Sequence, residues 1–396
     1  MSSADLVIVG AGTVGGWAAV MAREDGAGRV VVIEGGLAGH GASQRAAGMV
    51  RTQGGTPTAV DLGRFSAEFY REQHRRYGID SDFRELGYLI VATAENEVKA
   101  AQERVAMQRD RGVDSRWVTP SEAAAIMPLL DRGQILGATY CAQDGAIDPP
   151  RNVAAYLVTM RAKGAELFER CQVTGVRVQG GRVTGVQTAG SVIATDRVIL
   201  AGGIGQRGLA AMVGRPVPVG GARHHVFVTS PSRAVTQRPT AMGFDVAAGV
   251  YWREEEEGLL FGISDPDEAP GEARAIDPDA QHRARGRLGE LIPASRGLGL
   301  RKAWAATIDY TPDHLPILGP ALGPDGEPIE GLTLASAAGH GMMWGPAVAR
   351  VGVDLALHGA TLVTDVSFLG ADRFDAEGRS RLPADPIALP FPEAVS

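Results

Sequence analysis

An apolar strand followed by a glycine-rich turn, at the start of the chain, limits the fold more than any other feature. Residues 5–10 read Asp-Leu-Val-Ile-Val-Gly, a β-branched run typical of a strand that is buried on both faces of a parallel sheet. The turn, residues 10–15, leads into a helical pattern over residues 17–24. A second buried strand, residues 30–33, ends at Glu34. Together these elements predict one complete βαβ unit.

The three glycines of the turn have the spacing of a dinucleotide-binding motif. Gly10 permits the tight turn, Gly12 lets a pyrophosphate approach the backbone, and Gly15 allows the helix to pack closely on the strand. The positive end of the helix dipole then faces the phosphate charge. Glu34 is placed to accept hydrogen bonds from the adenosine ribose, and its charge would repel the 2′-phosphate of NADP. The motif predicts a dinucleotide but leaves FAD and NAD open.

The composition excludes several classes of protein. With 396 residues, the chain is longer than one hydrophobic core normally supports, so two interlocked domains are expected. The net charge of −7 gives no electrostatic footprint for nucleic acid, and no apolar run reaches the roughly 18–20 residues needed to cross a bilayer. The first residues enter a strand pattern too early for a signal peptide. We therefore expect a cytoplasmic protein with no membrane span and no nucleic-acid partner.

Neither the cysteines nor the acidic runs indicate a metal site. Cys141 and Cys171 are too few for a disulfide framework or a cysteine metal site, so we expect reduced thiols. The run from Glu254 to Glu257 is expected to be the solvated tip of a hairpin, because successive strand residues point to opposite faces. No bound metal is predicted.

The rest of the chain alternates between nucleotide-type and strand-rich pieces, without an internal repeat of solenoid length. The predicted elements are a helix at 64–76, a strand at 88–92, a helix at 95–111, a helix start at 118–122, a helix at 153–163, short strands around the turn 180–181, a strand at 197–201, a hairpin of strands 249–253 and 258–262, a strand at 332–336 and a helix at 346–357. Strand-rich pieces therefore interrupt the nucleotide-binding region.

Several later segments match, in order and spacing, those of one flavoprotein family. They are residues 41–49 (Gly-Ala-Ser-Gln-Arg-Ala-Ala-Gly-Met), 145–149 (Gly-Ala-Ile-Asp-Pro), Val173, 201–203 (Ala-Gly-Gly), 311–316 (Thr-Pro-Asp-His-Leu-Pro), 339–341 (Gly-His-Gly) and 372–374 (Asp-Arg-Phe). On these motifs the chain resembles the D-amino-acid oxidase and sarcosine oxidase superfamily, which includes glycine oxidases and bacterial D-amino-acid and proline dehydrogenases. The resemblance covers nearly the whole chain and implies FAD, since a plain NAD dehydrogenase needs none of the later segments.

The resemblance also implies an architecture. The expected class is α/β, with a Rossmann-type FAD-binding domain and an interleaved, mainly antiparallel-sheet substrate domain. The FAD-binding domain is expected at 1–85, 145–215 and 303–396, and the substrate-binding domain at 86–144 and 216–302. The residues expected on the cofactor are Gly10, Gly12, Thr13, Val14, Gly15, Glu34, Ser43, Arg45, Ala46, Ala47, Gly48, Met49, Val173, Ala201, Gly202, Gly203, Gly339, His340, Gly341 and Met342.

Two positions indicate how the flavin is attached. Monomeric sarcosine oxidases link it to a Cys at the position where this chain has Ala306. Dimethylglycine-dehydrogenase-like members use a His where this chain has Arg45. Neither side chain can form those bonds, so we expect dissociable, non-covalent FAD.

The resemblance implies hydride transfer from the carbon next to an amine onto flavin N5, after which the imine hydrolyses in water. This chemistry depends mainly on positioning and desolvation, and we single out no catalytic base. Arg51 matches a position that often binds the substrate carboxylate, and a guanidinium can hold a carboxylate with two hydrogen bonds. Tyr251 and Trp252 lie on the strand that lines the pocket in relatives, so both are candidate substrate-binding residues.

Three histidines are further candidates. His340, between two glycines, is expected either to contact the flavin ring or to pack under it. Strand alternation sends His224 and His225 to opposite faces, so at most one of them can point into the pocket.

The chain departs from sarcosine oxidases at three pocket positions. Met343, followed by Trp344, replaces a second carboxylate-binding Lys, and both are candidate substrate contacts. Leu260 stands where those enzymes have the Lys that promotes reaction with oxygen, and Ser264 replaces a pocket His. We therefore expect a less basic, more apolar pocket that suits a bulkier or less anionic amine, or another electron acceptor.

The function that these residues favour is oxidation of the C–N bond of an amine or amino acid, including a secondary or N-methyl amine. The electron acceptor, O₂ or another, and the oligomeric state stay open. An alternative is a flavin-bearing subunit of a hetero-oligomeric amino-acid dehydrogenase of the proline or sarcosine type. A third hypothesis is a non-catalytic FAD-binding protein. The intact cofactor motifs argue against it.

Overall fold

Two large sheets organise residues 2–392, which are the residues that the computed structural model describes. One sheet has a parallel core. The other is mainly antiparallel. The predicted α/β class, with a Rossmann-type unit and an interleaved, mainly antiparallel sheet, is confirmed.

The first sheet contains the βαβ unit predicted from the glycine turn. Leu6–Val9 lies between Val30–Ile33 and Val198–Leu200, parallel to both. Among the described residues the strands follow the order Ser2–Ser3, Val192–Ala194, Arg182–Thr188, Pro328–Ser336, Val198–Leu200, Leu6–Val9, Val30–Ile33 and Glu166–Phe168, with Val173–Gln179 paired to Arg182–Thr188 and Ile317–Leu322 paired to Pro328–Ser336.

The apolar run of the first long strand is buried on both faces, as its composition predicts. Leu6 and Ile8 pack into a core that also contains residues of four helices, Trp17 among them. Val7 and Val9 contribute to a different core on the opposite face. The alternation follows from the two-residue period of a strand, and it explains why every residue from Leu6 to Val9 is apolar.

The second sheet forms the rest of the molecule's framework. Its one parallel pairing among the described strands joins Tyr88–Ala92 to Met242–Asp245. In order across the sheet, its strands are Leu300–Tyr310, Gly220–Thr229, Gly258–Ile263, Val250–Glu255, Met242–Asp245, Tyr88–Ala92, Gly137–Cys141 and Ser115–Val118. A small third sheet is formed by Met49–Val50, Gly145–Ala146 and Arg84–Glu85.

Helices cover both sheets. The described α-helices are Thr13–Glu24, Pro57–Tyr77, Glu95–Asp110, Pro120–Ile126, Pro149–Ala162, Gln206–Ala211, Arg233–Thr236, Pro278–Leu291 and Gly341–His358. Short 3₁₀ helices are formed by Ser43–Arg45, Arg132–Gln134, Gly203–Gly205, Pro293–Ser295 and Ala371–Arg373. Within residues 2–392, none of the helices combines the length and the apolar character that crossing a membrane requires.

Several helices begin earlier than the sequence pattern predicts. Pro57–Tyr77 starts seven residues before the predicted 64, because the Thr56 side chain caps its first turn and proline is tolerated there. Pro149–Ala162 starts four residues before the predicted 153, with Asp148 as its cap. Polar and proline-containing first turns lack the apolar period from which the helices were predicted.

The turn of the acidic hairpin contains fewer residues than predicted. Glu254 and Glu255 lie within the strand Val250–Glu255, so only Glu256 and Glu257 form the turn. Glu256 is not simply solvated, because its carboxylate lies 2.8 Å from the guanidinium of Arg301.

The sheets suggest a different domain boundary from the one placed at 302/303. Strand Leu300–Tyr310 pairs with Gly220–Thr229 along its whole length. Since this strand belongs to the second sheet, we propose that the second part of the substrate-binding domain runs to Tyr310. The other boundaries, 85/86, 144/145 and 215/216, separate strands of different sheets and stay as proposed.

Candidate active site

A cavity of about 910 Å³ is lined by residues of both sheets. From the first sheet it takes the carboxyl ends of Leu6–Val9, Val30–Ile33 and Val198–Leu200, the edge where open parallel sheets bind their ligands. Of the predicted site residues, the wall contains Gly10, Gly12, Thr13, Val14, Glu34, Ser43, Arg45, Ala46, Ala47, Gly48, Met49, Arg51, Val173, Ala201, Gly202, Gly203, Tyr251, Gly339, His340, Gly341, Met342 and Met343.

Two glycines of the turn are sterically required. Gly10 has φ of +104°, and a Cβ there would lie 2.3 Å from the carbonyl oxygen of Ala201. A Cβ on Gly15 would lie 1.9 Å from the carbonyl oxygen of Gly10. Both distances are far below van der Waals contact, so the strand, the turn and the helix can approach this closely only without side chains. Gly15 itself lies behind the cavity wall, in the packing role that its spacing predicted.

The first helix presents its amino terminus to the cavity. Gly12 is its N-cap and has no side chain to cap the free N–H groups, and no acidic residue lies in the first turn. The N–H of Thr13 donates to the hydroxyl of Ser43 over 3.0 Å. A helix start of this kind favours an anion through its dipole and its free N–H groups. The arrangement fits the pyrophosphate of a dinucleotide.

Glu34 lies beside the glycine turn and also lines the cavity. Its two carboxylate oxygens accept the N–H of Ala11 (2.9 Å) and the N–H of Gly36 (2.7 Å). A carboxylate oxygen has a second lone pair, so capacity for ribose hydroxyls is retained. Val173 and Cys171 line the cavity as well, and Cys171 forms no disulfide.

The segment 41–49 runs along the cavity and is held by side chains of the second sheet. The Arg253 side chain donates to the carbonyl oxygen of Ala47 over 2.7 Å, and the indole of Trp304 donates to that of Arg45 over 2.8 Å. The Arg45 guanidinium itself donates to the carbonyl oxygen of Gly41 over 2.9 Å. Arg45 therefore stabilises its own loop, in addition to lining the cavity.

Arg51 carries the most unusual side chain of the wall. It is 4 % exposed, and its Nη2 donates to the carbonyl oxygen of Ile387 over 2.6 Å. Its Nη1 is buried without a hydrogen-bond partner. The guanidinium also lies 5.8 Å from the centre of the Phe244 ring. A buried charged nitrogen without a partner is costly, so this atom is poised to receive an anionic ligand.

His224 and Tyr251 form the opposite, second-sheet part of the wall. Their rings stack with centres 5.3 Å apart, and the His224 Nδ1 lies 3.0 Å from the hydroxyl of Ser264. Burial lowers the pKa of His224 to about 3, so the ring is uncharged at neutral pH. His225 lies outside the cavity wall and accepts the N–H of Asp277, which agrees with the prediction that at most one of the pair points inward.

His340 sits where the last helix begins. It follows Gly339, which has φ of +83°, and it is the N-cap of Gly341–His358. Its Nδ1 lies 2.9 Å from the carbonyl oxygen of Ala338, while Nε2 is buried without a partner. Burial, with a contribution from Arg51, lowers the pKa of His340 to about 3.

Trp252 and Trp344, both predicted as substrate contacts, lie outside the cavity wall. Strand alternation points Trp252 away from the face that Tyr251 presents, and its indole N–H donates to the sulfur of Met127 over 3.3 Å. Trp344 is 1 % exposed and packs on His340 with ring centres 4.1 Å apart. We therefore leave both out of the proposed substrate-binding residues and propose that Trp344 supports His340.

Several wall residues were not predicted from the sequence. They are Tyr88, Phe244, Glu272, Arg274, Thr307, Asp309 and Leu389. Asp309 accepts the hydroxyl of Ser336 over 3.2 Å, and burial raises its pKa. The only sequence signal for it was its place just before the Thr-Pro-Asp motif at 311–313.

One acidic cluster lies away from the cavity. Asp25, Asp354 and His358 are close enough to share a metal ion. Arg350 donates to Asp25 and lies 2.6 Å from an oxygen of Asp354. These charge pairs account for the cluster without a metal.

Comparison with known proteins agrees with the geometry of the cavity. A family model described as FAD dependent oxidoreductase matches residues 5–355, and the chain belongs to that family. The helix start that fits a dinucleotide's phosphates agrees with membership of a family of FAD-dependent enzymes.

The chain is also similar to individual members of the family. The chain is 29% identical over 389 residues to 4-methylaminobutanoate oxidase (formaldehyde-forming) of Paenarthrobacter nicotinovorans, covering 95% of this chain and 46% of that protein. It thus spans less than half of that relative's length. The structure of L-proline dehydrogenase from P. horikoshii superimposes with a TM-score of 0.86 at 27% identity, covering 96% of this chain and 100% of that one. Glycine oxidase from Geobacillus kaustophilus gives a TM-score of 0.82 at 25% identity, covering 95% and 100%.

The buried His224 predicts a specific dependence of stability on pH. Because burial lowers its pKa from the usual 6.5 to about 3 on folding, the unfolded chain binds a proton between these pH values that the native state does not bind. Acidification from 6.5 towards 3 therefore lowers the free energy of unfolding, by at most about 1.4 kcal/mol per pH unit for this group.

We expect the variant His224→Gln to lose stability less steeply than the wild type over this pH window. Urea unfolding at a series of pH values measures the difference, and the contributions of other groups cancel in it. Replacing the exposed His282 by Gln is the control. Parallel stability curves for wild type and His224→Gln would show that the native state protonates His224 normally.

Proposed function

We propose that this chain oxidises the C–N bond of an amine or amino acid, with a secondary or N-methyl amine as the preferred class. The observation that carries the proposal is Arg51. Its buried Nη1 lacks a partner, and Arg51 lines the same cavity as Gly10 and Gly12 of the glycine turn. A carboxylate on the substrate would satisfy this nitrogen and orient the molecule. The relatives named for 4-methylaminobutanoate, L-proline and glycine all act on amines that carry a carboxylate, which supports the proposal.

Bound FAD supplies an acceptor for the hydride that leaves the carbon next to the amine nitrogen. The residues of the chain position the substrate and exclude water. Arg51 holds the anionic end, while Phe244 and Tyr251 give that part of the wall an aromatic surface. The resulting imine hydrolyses in water to a carbonyl compound and the shortened amine, which for an N-methyl substrate is N-demethylation.

The uncharged His224 suits this chemistry. The amine must lose its proton before a hydride can leave the adjacent carbon, and a neutral imidazole nitrogen can accept a hydrogen bond from an amine N–H. Ser264 lies within hydrogen-bond distance of Nδ1, and His224 lines the cavity. An Nδ1–H that donates to the Ser264 hydroxyl leaves Nε2 as the acceptor for the amine. We propose His224 as a residue that positions the substrate nitrogen.

The pocket is expected to favour amines that are bulkier or less anionic than sarcosine. Met343 lines the cavity where sarcosine oxidases have a second cation, so Arg51 is the cation that we propose for the substrate. An apolar side chain at this position favours binding of a substrate with a larger apolar substituent, because the surface of that substituent is buried.

The FAD is proposed to be held without a covalent bond. Ala306, which is 3 % exposed on strand Leu300–Tyr310, and Arg45 have no atoms that could form the linkages known in relatives. We expect acid precipitation to release all of the yellow chromophore into the supernatant. Colour that remained in the washed pellet would show a covalent bond at another residue.

A second candidate is a flavin-bearing subunit that passes electrons to a partner. One observation favours it: Leu260, at the position where the resemblance places the oxygen-promoting Lys, is 1 % exposed in an apolar core. The reoxidation rate of the reduced flavin in air-saturated buffer, compared with that by an artificial acceptor, separates the candidates. Rapid reoxidation by O₂ in the isolated chain excludes the subunit reading, and slow reoxidation by O₂ beside fast reduction of the artificial acceptor excludes a true oxidase.

The proposal is tested by product analysis with a carboxylate-bearing N-methyl amine. We expect one equivalent each of carbonyl compound and demethylated amine per equivalent of acceptor reduced. Acceptor reduction without a carbonyl product would mean that a different bond is oxidised.

A further inference from the structure

A segment far from Arg51 in sequence completes the cavity around it. Residues 385–392, here called the strap, form no helix or strand. Leu389 of the strap lines the cavity, and the neighbouring Ile387 is 1 % exposed in the core that contains Phe244 and Tyr251. The strap therefore adds a third part of the chain to a wall that already takes residues from both sheets.

The strap is fastened at both ends. At its start, Asp385 donates its N–H to the carbonyl oxygen of Asp313 over 3.1 Å. At its other end, the Phe391 ring stacks on Tyr310 with centres 5.0 Å apart and on His314 with centres 5.6 Å apart. Because both ends are held, the position of Leu389 between them is defined.

The strap also orients the guanidinium of Arg51. The Ile387 carbonyl oxygen accepts from Nη2 over 2.6 Å, while Nη1 has no partner. Asp385 is buried within electrostatic range of Arg51, and burial raises the pKa of its carboxyl. One nitrogen of the guanidinium is thus engaged by the strap backbone and the other is left for a ligand.

We propose that the strap determines which substrates the cavity accepts: the Ile387 carbonyl holds Arg51 for the substrate carboxylate, and Leu389 limits the bulk beside it. The inference rests on the proposed role of Arg51 in amine oxidation. Substrates are then amines with one carboxylate whose remaining bulk fits against Leu389. Removing side-chain volume at Leu389 is expected to admit larger carboxylates while small ones bind as before.

The first test compares Leu389→Ala with Leu382→Ala. Leu382 lies in the same stretch of chain but packs against the core of the first sheet, outside the cavity. Acetate, butanoate and benzoate are titrated into the FAD-loaded proteins, and binding is followed by the change in flavin absorbance. For Leu389→Ala we expect benzoate affinity relative to acetate affinity to rise about 10-fold or more, the effect of pocket volume on discrimination. For Leu382→Ala the ratio is expected to equal that of the wild type.

The second test measures access to Arg51 without any use of activity. Phenylglyoxal modification of Arg51 is quantified by mass spectrometry in the full chain and in a variant that lacks residues 385–396, relative to the exposed Arg161. We expect slow modification in the full chain and a rate close to that of Arg161 in the shortened variant. If the shortened variant does not fold, the ratio of benzoate affinity to acetate affinity in Leu389→Ala tests the proposal.

The outcomes separate this inference from the function on which it rests. Equal ratios of benzoate affinity to acetate affinity in both leucine variants would overturn the proposal that the strap selects substrates by size. A modification rate of Arg51 that is the same with and without residues 385–396 would overturn the proposal that the strap covers Arg51. If none of the three acids binds the wild type, the anion site of the proposed function is wrong, and the modification rates alone then decide whether the strap covers Arg51.

Discussion

Replacing Arg51 by leucine is expected to lower kcat/KM for a carboxylate-bearing amine by about 30-fold to several thousand-fold. This range corresponds to about 2–5 kcal/mol, the usual cost of removing one partner of a buried, charged hydrogen bond to a ligand. Nη1 has no protein partner, so loss of the guanidinium is expected to weaken substrate binding, and loss of the hydrogen bond from Nη2 to Ile387 lowers stability as well. Steady-state kinetics with flavin content measured in parallel gives the result.

Two further variants sharpen the Arg51 prediction. Arg51→Lys keeps the charge but loses the forked donors, so an intermediate loss is expected. Arg104→Leu removes a half-buried cation that interacts electrostatically with Arg51 but does not line the cavity, and a much smaller change is expected. Wild-type kcat/KM in an FAD-loaded Arg51→Leu enzyme would mean that Arg51 is not the carboxylate site.

Replacing Gly15 by valine is expected to give protein without bound FAD. The Cβ alone would lie 1.9 Å from the carbonyl oxygen of Gly10, so the helix must move away from the turn. The turn then loses the geometry that brings the helix start to the pyrophosphate. Overpacking of this kind costs about 1–3 kcal/mol of folding free energy or more. The ratio of flavin to protein absorbance, together with urea unfolding, measures both effects.

The matched control for Gly15→Val is Gly286→Ala. Gly286 is exposed within the helix Pro278–Leu291, and a Cβ there meets no atom within 4 Å. Full flavin content and a gain of about 0.5–1 kcal/mol in stability are expected, because alanine replaces glycine inside a helix. Full FAD content in Gly15→Val would show that the close approach of helix and strand is not needed to hold the cofactor.

The first-sheet half of the fold was predictable because its signals are local. The β-branched run over residues 6–9, the turn at 10–15 and the run over 30–33 each specify one element through composition and spacing alone. Element boundaries were less predictable. The helix Gly341–His358 begins five residues before the predicted 346, because Pro346, a residue typical of a first helical turn, lies inside this helix.

The substrate side of the cavity was only partly predictable, because its wall is assembled by long-range contacts. A one-residue shift along a strand reverses the face of a side chain, and Tyr251 and Trp252 are both aromatic, so composition could not say which one faces the cavity. Leu389 lies over 330 residues from Arg51, and no local pattern indicates that the two contribute to one wall. Only the packing of the two sheets brings them together.

The buried atoms without hydrogen-bond partners, on which the proposals rest, could not be predicted from the sequence either. Sequence motifs marked Arg51 and His340 as candidates, but burial without a partner at Nη1 and Nε2 is a property of the folded chain. Conversely, the resemblance favoured Trp344 as a substrate contact, whereas its ring packs on His340 from outside the cavity.

The central claim, oxidation of an amine by the bound flavin, is tested most directly by anaerobic reduction of the holoenzyme. Secondary and N-methyl amines, imino acids, and D- and L-amino acids are added in turn, and loss of flavin absorbance is recorded without any added acceptor. We predict that at least one carboxylate-bearing amine bleaches the wild-type flavin rapidly and the Arg51→Leu flavin slowly. A flavin that no amine in the panel bleaches, although a chemical reductant bleaches it fully, would contradict the account.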